Sequence, residues 1–320
     1  MGILMHLSSD SFVITFLTSR VKRPILKTYQ NLAFGKDFLP RGANVRRFPS
    51  SGVNESMVAF PVKKRIGLAL SGGATRGLAH IGVLKALEDH QIRPDCLSGS
   101  SIGAFAAALY AFEVPVKEMR RVGQGMTPLN ISKLKLSRYA LFSNEELGKL
   151  ILAEIGKARI EDAKIPLAIM ATDIGSGEKI VLRRGEVAPA VMASSATPGI
   201  YMPVRIDGRM LMDGGIVEDV PISPLRAMGV ENVIAVNLSA ERKYSKPNDI
   251  IDILFNAFDI AIDENTKEQV RDADVLIEPR LSDFPRMDTS QIDALIAEGY
   301  RAAKERIERI RAVMEHPSAS

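Results

Sequence analysis

A chain of 320 residues that is 46% hydrophobic and 25% charged has the composition of a globular protein, near the upper size for one hydrophobic core. Its single cysteine, Cys96, excludes an intramolecular disulfide framework. No apolar run approaches the roughly 18 residues that a membrane-spanning helix needs. The apolar run at residues 12–17 is followed by basic residues instead of preceded by them, which argues against a secretory signal. We therefore expect a cytoplasmic location.

The net charge of +4 is unevenly distributed. Residues 1–65 contain eleven Lys and Arg but three Asp and Glu, a local balance of +8, which leaves −4 for the remainder. Such a basic arm can hold a protein at anionic headgroups on the inner face of the membrane, and a solvated, partly disordered leader is equally consistent with it. Nucleic acid is not an expected partner, because no basic stripe with interleaved aromatic residues continues into the domain.

We divide the chain into a basic, partly irregular extension at residues 1–62 and one domain at residues 63–320. The domain begins with an apolar run at 66–70 that stops at Ser-Gly-Gly, which predicts a buried strand entering a tight turn. An amphipathic helix, a second short strand and an Ala-rich helix follow, at 75–90, 95–98 and 102–112. Strand and helix alternating with short connections predict a parallel sheet covered by helices.

The rest of the domain continues this α/β pattern. Residues 116–160 are predicted to be a helical cover segment. Its mixture of basic and apolar residues at 133–142 is typical of a surface that docks on a membrane, although an ordinary amphipathic cover over the sheet has the same pattern. Further strands are predicted at 167–171, 179–182, 210–212, 233–237 and 275–277, and long helices at 247–270 and 288–314.

The sequence Gly99-Ser100-Ser101-Ile102-Gly103 fits G-x-S-x-G. This motif forms a sharp turn between a strand and a helix that exposes the serine, and its glycines avoid clashes with the neighbouring backbone. The pattern arises by chance in about one such chain in ten, but here a predicted strand precedes it and a predicted helix follows. We therefore predict that Ser101 is a nucleophile.

A serine nucleophile needs a base. A Ser-Asp-His hydrolase places its histidine well after the serine, and none of the four histidines does so convincingly: His6, His80, His90 and His316. Either Ser101 is not a nucleophile or its base is a carboxylate. Asp213 ends an apolar segment and precedes two glycines, as a base at the end of a strand would, although an isolated Asp-Gly-Gly is most often a turn.

The glycine-rich turn at residues 71–77, Ser-Gly-Gly-Ala-Thr-Arg-Gly, gathers backbone N–H groups at the start of a helix. Such a turn can bind a phosphate or the oxyanion of a tetrahedral intermediate, and Arg76 adds a positive charge. Nucleotide binding is a poor match, because Ala74 breaks G-x-G-x-x-G and no P-loop lysine is followed by Ser or Thr.

In this order, the three motifs resemble those of patatin-like phospholipases. The family pattern is a glycine-rich loop with Arg-Gly, then G-x-S-x-G, then Asp-Gly-Gly or Asp-Gly-Ala. The resemblance extends over roughly residues 64–280 and is carried by the sequences at 72–77, 99–103 and 213–215, with supporting stretches at 78–84, 171–173 and 193–199.

The resemblance implies a three-layer α/β/α sandwich with a mainly parallel central sheet. It also implies hydrolysis of lipid acyl esters, as by a phospholipase A or lysophospholipase, without a metal or other cofactor. Ser101 and Asp213 would form a Ser-Asp dyad. The remaining implied site residues are the oxyanion-hole residues Gly72, Gly73, Ala74 and Arg76, the nucleophile-elbow residues Gly99 and Gly103, and the supporting residues Gly77, Gly214 and Gly215.

Two other functions are compatible with the same motifs: a lipid-binding regulatory module with little catalysis, and an acyltransferase that uses the same dyad. One residue departs from the family pattern, which usually has glycine at the position of Ala74. A positive φ there would cost about 1 kcal/mol. We expect Ala74 to avoid this cost by taking helical angles at the start of the helix.

Overall fold

A computed structural model describes residues 65–315, apart from 127–129, 131, 136, 138 and 285–289, and the backbone of three strands nearer the N-terminus. The chain divides into two compact units, Met1–Phe60 and Pro61–Ser320. In the first unit, three strands form an antiparallel sheet in chain order: β1 (Gly2–Ser8), β2 (Ser11–Leu17) and β3 (Ile25–Tyr29). The residue pattern of this segment does not predict these strands, and the division at residue 62 stays a prediction.

The second unit contains an eight-stranded sheet with a parallel centre. Its strands are β4 (Ile66–Leu70), β5 (Cys96–Gly99), β8 (Leu167–Asp173), β9 (Lys179–Leu182), β11 (Val204–Ile206), β12 (Arg209–Asp213), β13 (Asn232–Val236) and β14 (Val275–Ile277). The order is β11-β12-β8-β5-β4-β13-β14, and β9 also pairs with β8. The pairs from β8 to β14 are parallel, whereas β9, β11 and β12 pair antiparallel.

Helices cover both faces of this sheet. They are α1 (Ala79–Asp89), α2 (Ile102–Ala111), α3 (Val116–Gly125), α4 (Glu145–Ile155), α5 (Val187–Ser194), α6 (Gly215–Glu218), α7 (Ile222–Ala227), α8 (Ile250–Gln269), α9 (Ile292–Lys304) and α10 (Ile307–Glu315). Side chains alternate between the faces of a strand, so Leu68 and Leu70 of β4 belong to the larger core, while Ala69 belongs to a smaller one with Ile222 and Leu225 of α7. The predicted parallel sheet between helical layers is confirmed.

The cover segment at 116–160 is not helical throughout. Between α3 and α4 lie two short strands, β6 (Lys133–Leu134) and β7 (Ala140–Ser143). Strand β7 pairs antiparallel with β6 and parallel with β10 (Gly199–Tyr201). Because β10 lies about 60 residues further along the chain, local periodicity could not predict this pairing.

The predicted helix at 288–314 is in fact two helices, α9 and α10. A short 3-10 helix, Ala74–Leu78, precedes α1. Within the described part of the chain, no helix has both the length and the apolar character that crossing a membrane would require.

Candidate active site

The glycine-rich turn and Ser101 meet at the carboxyl edge of the sheet. Strands β4 and β5 are parallel neighbours, and their last residues, Leu70 and Gly99, lie opposite each other. The two turns that follow these strands are therefore adjacent. A Cβ atom built on Gly72 would lie 3.3 Å from the Cβ atom of Ser101.

Ser101 occupies the sharp turn between β5 and α2. Its backbone has φ 51° and ψ −124°, a conformation that costs a non-glycine residue about 1–3 kcal/mol. Close backbone contacts explain the flanking glycines. A Cβ on Gly99 would lie 2.4 Å from the carbonyl oxygen of Gly103, and one on Gly103 would lie 2.1 Å from that of Leu70. Any side chain at either position would force the strand and the helix apart.

Asp213 is the last residue of β12 and is almost fully buried. The Gly215 N–H donates to its Oδ1 at 2.9 Å, and the Thr172 hydroxyl donates to its carbonyl oxygen at 2.8 Å. Gly214 lies close against β8, because a Cβ there would be 2.5 Å from the carbonyl oxygen of Met170. The carboxylate is thus fixed by the turn that follows the strand.

Ser101 and Asp213 line the same cavity, which has a volume of about 120 Å³. The turn residues Gly72, Gly73 and Ala74 line it as well. Its other walls are mainly apolar and include Leu78, Ile102, Met126, Leu147, Tyr201, Phe255, Phe258 and Ile262. A hydroxyl and a carboxylate beside apolar walls form a site that can accept an ester with an alkyl chain.

The Gly72 N–H does not point at an open site. It donates to Oδ1 of Asp219 at 3.0 Å, and this buried aspartate lines the same cavity. Of the three N–H groups that the resemblance assigns to an oxyanion hole, this one is engaged by a side chain. Asp219 lies outside the three motifs of the sequence. The sequence feature that could have indicated its role is a second aspartate shortly after Asp-Gly-Gly.

Ala74 has φ 52°, so the expectation that it takes helical angles is wrong. The preceding Gly73 is also in a positive-φ conformation, and Ala74 is the first residue of the short 3-10 helix that follows. Two consecutive positive φ angles turn the chain sharply from β4 towards α1. Ala74 therefore carries the strain that a glycine would avoid.

The Arg76 guanidinium is held away from the cavity that contains Ser101. Its Nε and Nη2 donate to the carbonyl oxygen of Phe284 at 3.0 and 2.9 Å. Burial, followed by the nearby Arg242, lowers the pKa of Arg76.

Gly77 contacts the helix of the nucleophile, because a Cβ there would lie 2.2 Å from the side chain of Ile102.

His80 lies close to the site but does not line the cavity. Its Nε2 is 2.8 Å from the carbonyl oxygen of Ser71, and burial lowers its pKa to about 4. The imidazole is therefore neutral at physiological pH and forms a hydrogen bond to the backbone of the glycine-rich turn.

Over the described residues, no group of three or more His, Cys, Asp and Glu side chains is arranged to hold a metal ion.

Comparison with known proteins identifies relatives of the part of the chain that contains this site. An uncharacterized NTE family protein of Mycobacterium tuberculosis is 33% identical over 178 residues, which cover 55% of this chain and 49% of that protein. The lysophospholipase NTE1 of Cryptococcus neoformans is 33% identical over 209 residues, which cover 61% of this chain and 13% of that protein. The chain thus spans about half the length of the mycobacterial relative and much less of the fungal one.

The fold is also similar to that of VipD from Legionella pneumophila. The crystal structure of that protein gives a TM-score of 0.51 at 15% sequence identity, over 77% of this chain and 67% of that one. At this identity the likeness concerns the fold alone. A family model described as patatin-like phospholipase matches residues 68–226, which include all three motifs. By this match, supported by the NTE relatives, the chain belongs to the patatin-like phospholipase family.

Proposed function

We propose that this chain hydrolyses acyl esters of lipids through a covalent acyl-Ser101 intermediate, with Asp213 as general base. The observation that carries the proposal is that Ser101 and the buried Asp213 line one cavity with mainly apolar walls. A serine nucleophile needs a base, and no histidine is among the described residues that line this cavity. The apolar walls favour an acyl chain, because burial of each methylene contributes about 0.8 kcal/mol.

In the first half of the reaction, Asp213 accepts the proton of the Ser101 hydroxyl while Oγ attacks the ester carbonyl carbon. The carbonyl oxygen becomes an oxyanion, which accepts hydrogen bonds from the N–H groups of Gly73 and Ala74. We assign these two donors because the Gly72 N–H is bound to Asp219. The tetrahedral intermediate then collapses, the bond to the alcohol oxygen breaks, and the proton on Asp213 passes to that oxygen.

In the second half, Asp213 removes a proton from a water molecule whose oxygen attacks the acyl carbon. Collapse of the second tetrahedral intermediate releases the fatty acid and returns the proton to Oγ of Ser101. Each cycle consumes one water and one ester, and both side chains end as they began. The name of the fungal relative, a lysophospholipase, makes a lysophospholipid the first substrate to test.

The test combines turnover with labelling by a fluorophosphonate probe and peptide mass spectrometry. Wild type should carry the adduct on Ser101. Ser101→Ala and Asp213→Asn should lose it and lose turnover by roughly 10³-fold or more. Ser100→Ala is the matched control, because the Ser100 hydroxyl is buried beside the nucleophile and has no hydrogen-bond partner among the described residues. Turnover that persists in a folded Ser101→Ala protein would overturn the proposal.

The same experiment separates the alternatives. Lipid binding without an adduct or turnover in wild type would favour a regulatory module. An adduct on Ser101 with acyl groups recovered on an added alcohol or lysolipid, and not as fatty acid, would favour acyl transfer by the same dyad.

We propose in addition that the protein contacts an anionic membrane through the segment around β6 and β7. Leu134 is 67% exposed in β6, and the exposed Lys133 and Lys135 flank it. Strand β7 pairs with β10, whose Tyr201 lines the cavity. Basic and apolar side chains together are typical of a surface that enters the headgroup region.

The charge of this segment provides the test for membrane contact. Reversal of both lysines, Lys133→Glu with Lys135→Glu, should weaken flotation with vesicles containing phosphatidylserine by roughly tenfold or more, since each basic residue contributes about 1 kcal/mol at such a surface. Reversal of the exposed Lys117, in α3, is the control and should leave binding unchanged. Equal binding by all of these proteins would contradict the proposal.

A further inference from the structure

Ser194, the last residue of α5, contacts both chain segments that carry the proposed dyad. The Ser101 N–H donates to its Oγ at 2.9 Å. The Gly214 N–H donates to its carbonyl oxygen at 3.2 Å. Ser194 is fully buried, so neither bond competes with solvent. One residue is thus bonded to the nucleophile and to the residue that follows the base.

These two segments would otherwise be held apart. Ser101 follows β5 and Asp213 ends β12, and strand β8 lies between these two strands in the sheet. Neighbouring strands are about 4.8 Å apart, so the axes of β5 and β12 are separated by roughly 10 Å. The sheet alone therefore does not bring a serine and a carboxylate together. The turns beyond the strands must close this gap, and Ser194 is bonded to both turns.

The bond to Ser101 also supports a strained backbone. The N–H of Ser101 lies just before α2, where helix geometry provides no backbone acceptor. Its positive φ persists only if the surroundings determine it. On the other side of Ser194, the Asp213 N–H donates to the carbonyl oxygen of Ala196 at 3.1 Å, so the same short segment supports the base as well.

We propose that Ser194 is a positioning residue for the Ser101–Asp213 pair. Its hydroxyl fixes the nucleophile, and its carbonyl group fixes the turn that orients the base. Ser194 is not among the described residues that line the cavity, so it acts through the two residues to which it is bonded. This inference rests on the proposed function, because it assumes that the two side chains react together.

The test is Ser194→Ala, which removes the hydroxyl and keeps the carbonyl group. We expect kcat to fall roughly 10–100-fold with KM within about twofold, because a small misplacement of reacting groups has an effect of this size on the rate. The rate of fluorophosphonate labelling at Ser101 should fall in parallel. The matched control is Ser98→Ala, since the fully buried Ser98 hydroxyl also makes a hydrogen bond to the backbone, donating to the carbonyl oxygen of Pro221 at 2.6 Å. This control should lose comparable stability but keep kcat.

A double-mutant cycle distinguishes positioning from simple support of the fold. In an Asp213→Asn background, Ser194→Ala should reduce the residual turnover less than about twofold, because the pair that it aligns is already broken. Unchanged kcat in Ser194→Ala, or independent and additive losses in the cycle, would overturn the inference. Wild type without Ser101-dependent turnover would instead overturn the proposed function, so the two failures can be told apart.

Discussion

At the scale of single residues, Ala74 has a backbone conformation that is unfavourable for its side chain. Its φ of 52° lies where a Cβ approaches the neighbouring carbonyl oxygen, which costs roughly 1–2 kcal/mol. The motif alone suggested only that alanine replaces a glycine. The sequence could not show that the turn keeps its positive φ, because the angle is imposed by the path of the chain from β4 to α1.

We predict that Ala74→Gly raises the free energy of unfolding by a few tenths to about 1 kcal/mol. Glycine removes the strain, and part of the gain is offset by the greater entropy of the unfolded chain. Ala79→Gly is the matched control: Ala79 is buried at the start of α1 with φ −63°, so the change should lower the free energy of unfolding by about 1 kcal/mol. Urea unfolding measures both values. Equal losses in the two variants would show that Ala74 is unstrained.

At the scale of elements, the helix that follows the glycine-rich turn is held by a close helix crossing. Helices α1 and α9 approach each other through two glycines. A Cβ on Gly82 would lie 1.9 Å from the carbonyl oxygen of Ile296, and one on Gly299 would lie 1.9 Å from that of Ala79. The contact is between backbones, so neither helix can yield by moving a side chain.

We predict that Gly82→Ala and Gly299→Ala each lower the free energy of unfolding by about 2–3 kcal/mol or more, through overpacking. The control is Gly125→Ala in α3, where no atom of the described residues, apart from the neighbouring backbone of α3, lies within 4 Å of the added Cβ. That change should be neutral or stabilising by up to about 1 kcal/mol, because alanine favours a helix. Thermal and urea unfolding provide the measurement. Tolerance of alanine at both crossing positions would contradict the close approach.

Elements whose pattern is local were predicted well. The strands expected at 66–70 and 275–277 have those bounds, and that expected at 210–212 extends by one residue at each end. The pairings of the cover segment were not predictable, because β7 finds its partner β10 only after the chain has passed through β8 and β9. Likewise, the break between α9 and α10 leaves no clear mark in the apolar periodicity.

At the scale of the whole molecule, the sequence supplied the parts of the site but not their arrangement. The two turns after β4 and β5 are adjacent because these strands are parallel neighbours and end at the same edge. The order of the strands is not predictable from the sequence pattern. Strand β12 pairs antiparallel with β8 and therefore lies two strands from β5, and this arrangement depends on packing between distant segments. For this reason Ser194 and Asp219, which link these segments, were not singled out from the sequence.

The buried His80, which contacts the glycine-rich turn, makes the stability of the whole protein depend on pH. His80 is fully buried, its Nε2 donates to the carbonyl oxygen of Ser71, and its Nδ1 has no hydrogen-bond partner in the part of the chain that the structure describes. Burial lowers its pKa from 6.5 to about 4. The unfolded chain therefore binds a proton more readily than the folded protein does, and protonation favours unfolding.

We predict that the free energy of unfolding falls as the pH drops from about 6.5 towards 4, and that His80 alone contributes about 3 kcal/mol to this loss. Other groups also titrate in this range, so the contribution of His80 is measured as the difference in pH dependence between wild type and a variant without this histidine. Urea unfolding at pH 7, 5.5 and 4.5 should show a shallower pH dependence for His80→Gln than for wild type. His90→Gln, which changes a partly buried histidine at the end of α1, is the control and should retain the dependence of wild type.

The imidazole signal provides a second readout that does not depend on the stability of a variant. In wild type, the His80 ring should remain neutral by NMR down to about pH 5, whereas an exposed imidazole is largely protonated there. Protonation of His80 near pH 6.5 in the folded protein, or equal pH dependence in wild type and His80→Gln, would contradict the prediction. Protonation adds a hydrogen at the buried Nδ1 while Nε2 continues to donate to the carbonyl oxygen of Ser71, so the loss of stability arises from the buried charge and not from loss of this hydrogen bond.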